Sequence, residues 1–433
     1  MFIVKRLVLN FFSERRLKKE LGFKDLVLIG LGATIEASIF VLIAPGAEIV
    51  GKYLPISFIL GGALALGVAL VYSEIATNLP EEGADLRFIF KSFSSDIWAF
   101  ITSWLVILGD LSYLALNLLG LTVYLKTFLP INQLAFSIII LLAITVLNLR
   151  GIKRTSLVEN SITMVLLFFL AVIVGWAFFN WVGENQIVNN ISSSDSFILL
   201  PIIVGTALIY SSFIGYEDIT SVAGEVKDPH KNIPKAMIIT VIITTSLYVV
   251  LSFLSVQTIP LAQLKESETP LLLLAITNNI PSFIVTAAAI LAIVSTLVIT
   301  LLVASRKVFA LAQEDYFKNW LGNTNSSGVP TQAVLFCTFI TLILTIIGSV
   351  KFVAYLGNSV YLIGVIATTV ALLIMHRKNP NFGRWFRVPF SPYLPLLIIF
   401  VSGTVLIFVE TRALFYVFVW GLIGAFIYHL NKR

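Results

Sequence analysis

Glu36, Asp110, Glu217 and Asp218 are carboxylic acids set inside long apolar stretches of the chain. An ionisable side chain at bilayer depth is costly and marks a path for an ion, a proton or a substrate. No Lys or Arg falls inside the same stretches, so these acids read as uncompensated and suited to a cationic group, a coupling ion or a transferable proton. Glu36 lies in Ile29-Gly-Leu-Gly-Ala-Thr-Ile-Glu-Ala-Ser-Ile-Phe-Val-Leu-Ile-Ala-Pro-Gly46, where Gly30, Gly32 and Ser38 let a helix open locally. Burial disfavours the charged form of a carboxyl, which makes Glu36 a candidate proton carrier. Plainer readings stay open for the others: Asp110 bonded within a helix contact, Glu217 and Asp218 turned toward cytoplasmic water, Glu159 at a helix end.

The elements that must position these acids follow from composition. Of 433 residues, 58% are hydrophobic and 12% charged, and the mean hydropathy is +0.97; soluble chains average about 25% charged. The expected fold is an all-α integral membrane protein, because a span needs about 20 apolar residues and the chain supplies many such stretches. Twelve transmembrane helices are expected, near 26–49, 54–79, 97–125, 134–149, 155–182, 197–224, 236–258, 282–305, 331–349, 352–375, 391–409 and 413–430. The link containing Thr269-Pro-Leu-Leu-Leu-Leu-Ala-Ile276 is a candidate short surface or re-entrant helix. With the N-terminus inside, only Lys52, Lys126, Lys265, Lys351 and Arg412 of the 29 Lys and Arg fall outside, so both termini are expected in the cytoplasm. The net charge of +6 is spread over inner loops beside anionic lipid and calls for no nucleic-acid partner. The run Met1–Lys24 is basic, and the apolar run after it is too long for a signal core, so the first span is expected to stay.

Soluble-enzyme chemistry finds little support. His230, His376 and His429 fall at span ends without metal-ligand spacing, and Cys337 is the single cysteine, so no metal site, cofactor or disulfide is expected. No G-x-x-x-x-G-K-[ST] loop occurs, which leaves a gradient as the energy source for uphill movement. Asn190-Ile-Ser192 is a glycosylation-type triplet on an outer loop.

A second interrupted segment, Ile209-Tyr-Ser-Ser-Phe-Ile-Gly-Tyr216, places hydroxyls and aromatics around Gly215. Broken helices in the first and sixth positions point to inverted repeats with a site at the midplane. Half-helix N-termini there offer partial positive charge to an anion, and exposed carbonyls accept from an ammonium, a polarity that fits an amino acid zwitterion.

With these motifs in view, the chain resembles the amino acid-polyamine-organocation transporter superfamily over nearly its whole length. Gly32-Ala-Thr-Ile-Glu-Ala-Ser-Ile-Phe40 looks like its G-x-x-I-G-[SA]-[GS]-I-F. Tyr72-Ser-Glu-Ile-Ala76 with Leu79-Pro-Glu-Glu-Gly83 and Arg87 looks like its second-span exit. Phe213-Ile-Gly-Tyr216, Gly224-Glu-Val-Lys-Asp-Pro229 and Ile233-Pro-Lys-Ala236 are similar to its sixth-span exit, and Gly328-Val-Pro330 and Phe386-Arg-Val-Pro389 to later loops. The resemblance implies a five-plus-five inverted repeat with two further helices: a cytoplasmic segment 1–25, a ten-helix transport core 26–376, and a two-helix addition 377–433.

It also implies the substrate site: Ile35, Glu36, Ala37, Ser38 and Ile39 around an α-carboxylate, and Tyr210, Ser211, Ser212, Phe213, Ile214 and Gly215 around the amine and side chain. Ser295 and Thr296 sit where sodium-coupled relatives carry hydroxyl ligands, although such hydroxyls commonly back-bond to their own helix. Two departures matter: Glu36 replaces a glycine, and Leu166 stands where some proton-coupled members carry a lysine. An ionised Glu36 would repel an α-carboxylate, so it is protonated, turned away, or facing a cationic substrate. The expectation is a plasma-membrane amino acid transporter working by alternating access, coupled to a proton ahead of sodium, or an exchanger. Its partners would be a small-molecule substrate, the coupling proton or sodium ion, and the lipid bilayer. Glu36, Asp110, Ser295 and Thr296 are the coupling candidates. The alternatives are a polyamine or other organic-cation transporter of the same fold and, from another class, a non-transporting sensor or partner subunit.

Overall fold

The computed structural model describes residues 21–78, 88, 92, 96–126, 129, 130, 132–149, 156–184, 199–220, 223, 226–313, 321–323, 325, 329–379, 382, 383 and 385–431. Regular structure among them is helical. Eight stretches are long and apolar enough to cross a membrane, and Gln133–Leu149, Thr331–Ile347 and Tyr393–Ile407 are shorter apolar helices. In hydrocarbon every backbone polar group must be satisfied internally, which a helix does for itself.

The first apolar segment is broken into α1 (Phe23–Thr34), α2 (Ala37–Val41) and α3 (Ile43–Val50). Ile35 and Glu36 between α1 and α2 have extended backbone, φ −88° and −132°. A 3-10 turn, Gly51–Tyr53, leads straight into α4 (Leu54–Asn78). Then come α5 (Asp96–Lys126), α6 (Gln133–Leu149) and α7 (Ser156–Glu184). The sixth apolar segment starts as α8 (Leu199–Ile209) and continues as two 3-10 turns, Tyr210–Phe213 and Tyr216–Thr220, on either side of Ile214 and Gly215.

The helix α9 (Pro229–Thr258) starts seven residues before the expected span. Pro229 sits at its first position, where the fixed φ suits a helix start, and Pro234 is accommodated inside it. The link after α9 holds two short helices, α10 (Leu261–Glu266) and α11 (Pro270–Thr277), rather than one. The chain ends with α12 (Ser282–Gln313), α13 (Thr331–Ile347), α14 (Val350–Lys378), α15 (Tyr393–Ile407) and α16 (Thr411–Asn431).

Two packed sets frame the breaks. In one, α4 lies along α9, and α1 packs on α7, α9 and the Tyr216–Thr220 turn; in the other, α5 packs on α12, α13, α14 and α16, and α14 on α15. Apolar side chains gain little by meeting each other inside lipid, so contacts between helices depend on close packing and on interhelical hydrogen bonds. Such bonds recur here: Ser57 Oγ donates to the Ile202 carbonyl (3.0 Å) and Tyr124 Oη to the Phe40 carbonyl (2.9 Å). Trp104 of α5 and Trp420 of α16 stack at 4.4 Å, and each indole N–H donates to the other's carbonyl at 2.9 Å.

The two sets are also tied at one end of the molecule. Glu74 of α4, fully buried, accepts from the Val388 amide (2.7 Å) and pairs with Nε2 of His376 at the end of α14 (2.6 Å). Gly383 has φ +88°, and a side chain there would meet Glu74 Oε1. His230 of α9 meets the Thr77 carbonyl (3.0 Å) and stacks on Trp385 (4.2 Å). Two of the histidines that the sequence leaves without a role thus join helices.

Candidate functional site

The two breaks face each other. Gly215 has φ +124°, a conformation that L side chains rarely adopt, and a Cβ there would run into the Ala33 carbonyl oxygen. The sixth segment therefore rests, through a bare backbone, on the last turn of α1. Its own turn is closed by the Gly215 N–H, which donates to Glu217 Oε2 (2.9 Å), and by the Asp218 N–H, which donates to the Gly215 carbonyl (3.0 Å).

Glu36 is only 1% exposed and is held rather than unpartnered. Its Oε1 accepts from Ser38 Oγ (2.8 Å) and its Oε2 from Asn117 Nδ2 (2.6 Å), while Asn117 Oδ1 accepts from the Ala37 N–H (3.3 Å). One amide from α5 thus holds both the carboxyl and the opened backbone beside it. One turn earlier, Tyr113 Oη donates to the Ser211 carbonyl (2.5 Å), so the same face of α5 reaches both breaks. Tyr248 of α9 donates to the Thr34 carbonyl (3.0 Å), which the opening of α1 leaves without its regular partner. Asn358 of α14 donates to the carbonyls of Ala207 and Leu208, both at 2.9 Å, and so caps the end of α8. Around the sixth break Tyr210 lies 5.9 Å from Tyr361 and 6.4 Å from Phe213, and Phe213 lies 5.5 Å from Tyr248.

Of the expected site residues, Ile35 and Glu36 form the first break with Ala37, Ser38 and Ile39 in the first turn of α2 beside it, and Tyr210, Ser211, Ser212, Phe213, Ile214 and Gly215 lie at the second; all but Ile214 and Gly215 are buried. Asp110 departs from its reading as an uncompensated acid. The helix expected to end at 305 runs to Gln313 and carries Lys307 inward, where Nζ lies 3.0 Å and 2.8 Å from the two carboxylate oxygens of Asp110. The expectation that no basic residue enters these helices is corrected in the same way. Thr296 uses its hydroxyl on its own helix, donating to the Ala292 carbonyl (2.9 Å). Leu166, in place of the lysine, is buried apolar packing. No group of three or more His, Cys, Asp or Glu able to hold a metal ion occurs among the described residues.

The side chains of Ser295 and Glu159 lie outside the described residues, as do segment 1–20, Leu79–Gly83, Arg87, Asn190–Ser192, Gly224, Glu225 and Gly328. Sequence reasoning missed Tyr113, Asn117, Tyr248, Asn358 and Tyr361. One signal was available for two of them: Asp110, Tyr113 and Asn117 recur at helical spacing and make one polar face on an otherwise apolar helix.

The described residues are helical, with eight stretches long and apolar enough to cross a membrane, which marks a multi-pass membrane protein. The model of the amino acid permease family matches residues 21–427, and the chain belongs to that family. It is 29% identical to the branched-chain amino acid permease BcaP of Bacillus subtilis, over 97% of this chain and 94% of the relative. The serine/threonine exchanger SteT of Bacillus subtilis is 25% identical over 97% of this chain and 98% of its own. The methylthioribose transporter of the same organism is also 25% identical, over 97% and 95%. These relatives are transporters, not enzymes.

Proposed function

We propose that the chain is a secondary transporter that carries an amino acid across the plasma membrane by alternating access, with Glu36 exchanging the coupling proton. The observation that carries the reading is the meeting of the two breaks: Gly215 lies against Ala33, and α5 reaches both openings through Asn117 and Tyr113. Opened backbone at membrane depth is tolerated only where it lines protein or a cavity, and two such openings at one place are the mark of a midplane site. The amino acid permease membership and the named relatives support the cargo class. Proton coupling is favoured over sodium because Glu36, a buried carboxyl at the first break, can take up and release a proton.

Twelve spans in a five-plus-five inverted repeat belong to this proposal, as do the segments 1–25, 26–376 and 377–433 and cytoplasmic termini. The first and sixth positions of the two breaks and the charge asymmetry of the links support them. A second reading, transport of a polyamine or other organic cation, is favoured by the Glu36 carboxyl standing at the first break. Uptake of labelled L-leucine, L-serine, L-lysine and putrescine into proteoliposomes, under imposed proton or sodium gradients, separates the readings. Proton-driven accumulation of an amino acid supports the first, and accumulation of putrescine alone overturns it.

A further inference from the structure

Asn358 belongs to none of the motifs that mark the site, yet its side chain raises a question of chemistry. It lies on α14 and is fully buried. Both of its N–H groups are engaged, because Nδ2 lies 2.9 Å from each of two successive carbonyls, Ala207 and Leu208. Those partners can only accept, which fixes the amide's orientation: the nitrogen faces the end of α8 and the oxygen faces away from it. Asn358 Oδ1 is then a buried acceptor with no partner. Ser212, one turn beyond Leu208 in the 3-10 turn, likewise keeps a fully buried hydroxyl with no partner. One turn further along α14, Tyr361 lies against Tyr210 and meets the Tyr216 hydroxyl at 3.4 Å, so this face of α14 runs beside the whole sixth break.

Buried polar atoms are almost always hydrogen-bonded, and one left open calls for an explanation such as a bound group. An amide oxygen accepts and cannot donate. We infer that Asn358 is a cargo-binding residue: its Oδ1 accepts an N–H of the cargo's ammonium at the sixth break, with the Ser212 hydroxyl as a second acceptor. The inference rests on the amino acid reading above and assigns the amine to α14, a helix outside both broken segments. Asn358 then has two duties in one side chain, since the N–H groups that cap α8 hold the acceptor in place.

The test compares a cargo with and without its amine. Binding of labelled L-leucine, L-serine and L-lysine to the purified full chain selects the probe. It is then competed with its deaminated counterpart, 4-methylpentanoate, 3-hydroxypropanoate or 6-aminohexanoate respectively. Asn358→Leu is expected to weaken the amino acid on the order of tenfold and leave the deaminated acid unchanged, so that the preference between them collapses. Equal weakening of both would mean that Asn358 only supports the fold, and overturns the inference while the amino acid reading stands. Ser212→Ala leaves the α8 cap intact and is expected to lower the same preference several-fold, which keeps the question decidable should Asn358→Leu fail to fold. With Asn358→Leu unfolded, an unchanged preference in Ser212→Ala overturns the inference. Failure of all three amino acids to bind the unaltered chain would overturn the amino acid reading and this inference together.

Discussion

At the scale of single residues, Glu36 and Gly215 decide most. The carboxyl of Glu36 lies between Ser38 and Asn117, which can serve it protonated or ionised, since a hydroxyl and an amide both tolerate either form of a carboxyl. Glu36→Gln retains an acceptor for one of these donors and is expected to cost only about 1 kcal/mol of stability. It should keep cargo binding and exchange but lose accumulation driven by a pH gradient. Accumulation at the parent's level in the Gln variant would move the coupling role to another group. Gly215→Val is expected to abolish uptake at normal membrane expression. The new Cβ would collide with the Ala33 carbonyl, and a β-branched residue is a poor fit to φ +124°. Unchanged uptake by this variant would place the functional break elsewhere.

Elements are joined by a few buried polar contacts, and their loss should be felt differently according to what they join. Glu74 ties α4 to α14 and to the chain before α15 through His376 and the Val388 amide. Removing one partner leaves a buried donor without its acceptor, at a cost of about 1–3 kcal/mol. Glu74→Ala is therefore expected to lower the thermal midpoint in detergent, and Glu74→Gln, which still meets the Val388 amide, to lower it less. Equal midpoints for the two would show that the amide contact contributes little. Trp420 holds α16 to α5 by a ring stack and two reciprocal hydrogen bonds. Because α16 contributes no residue to either break, Trp420→Ala should reduce thermal stability by about 3 kcal/mol and spare the affinity for cargo. A changed affinity would mean that the last helix reaches the site.

On the scale of the whole molecule, the proposed orientation makes a prediction that needs no cargo. In a background with Cys337 replaced, a cysteine at Lys126 should react with a membrane-impermeant maleimide in sealed cells, and one at Lys378 only after the membrane is opened. Reaction at 378 in sealed cells would reverse the orientation. The two packed sets of helices, joined at one end through Glu74, His376 and the His230–Trp385 stack, surround the breaks between them.

Composition and spacing alone determined that this chain spans a membrane with helices and that it opens near Glu36 and near Gly215. Apolar run length, glycine placement and the cost of a buried acid are local properties that a sequence displays. The resemblance carried by the Gly32–Phe40 and Phe213–Tyr216 motifs pointed to the family. What the sequence could not display is which distant group meets each acid. Asp110 and Lys307 lie 197 positions apart and are joined by the packing of α5 on α12. Glu36 and Asn117 meet across 81 positions, and Asn358 reaches the α8 carbonyls across 150. Hydropathy placed Lys307 in a loop because the adjacent charges of Arg306 and Lys307 end an apolar run, whereas the helix continues for as long as its backbone bonds are satisfied and the ammonium finds a carboxylate. Partnership between buried polar groups is a property of the packed molecule, and only the tertiary structure decided it.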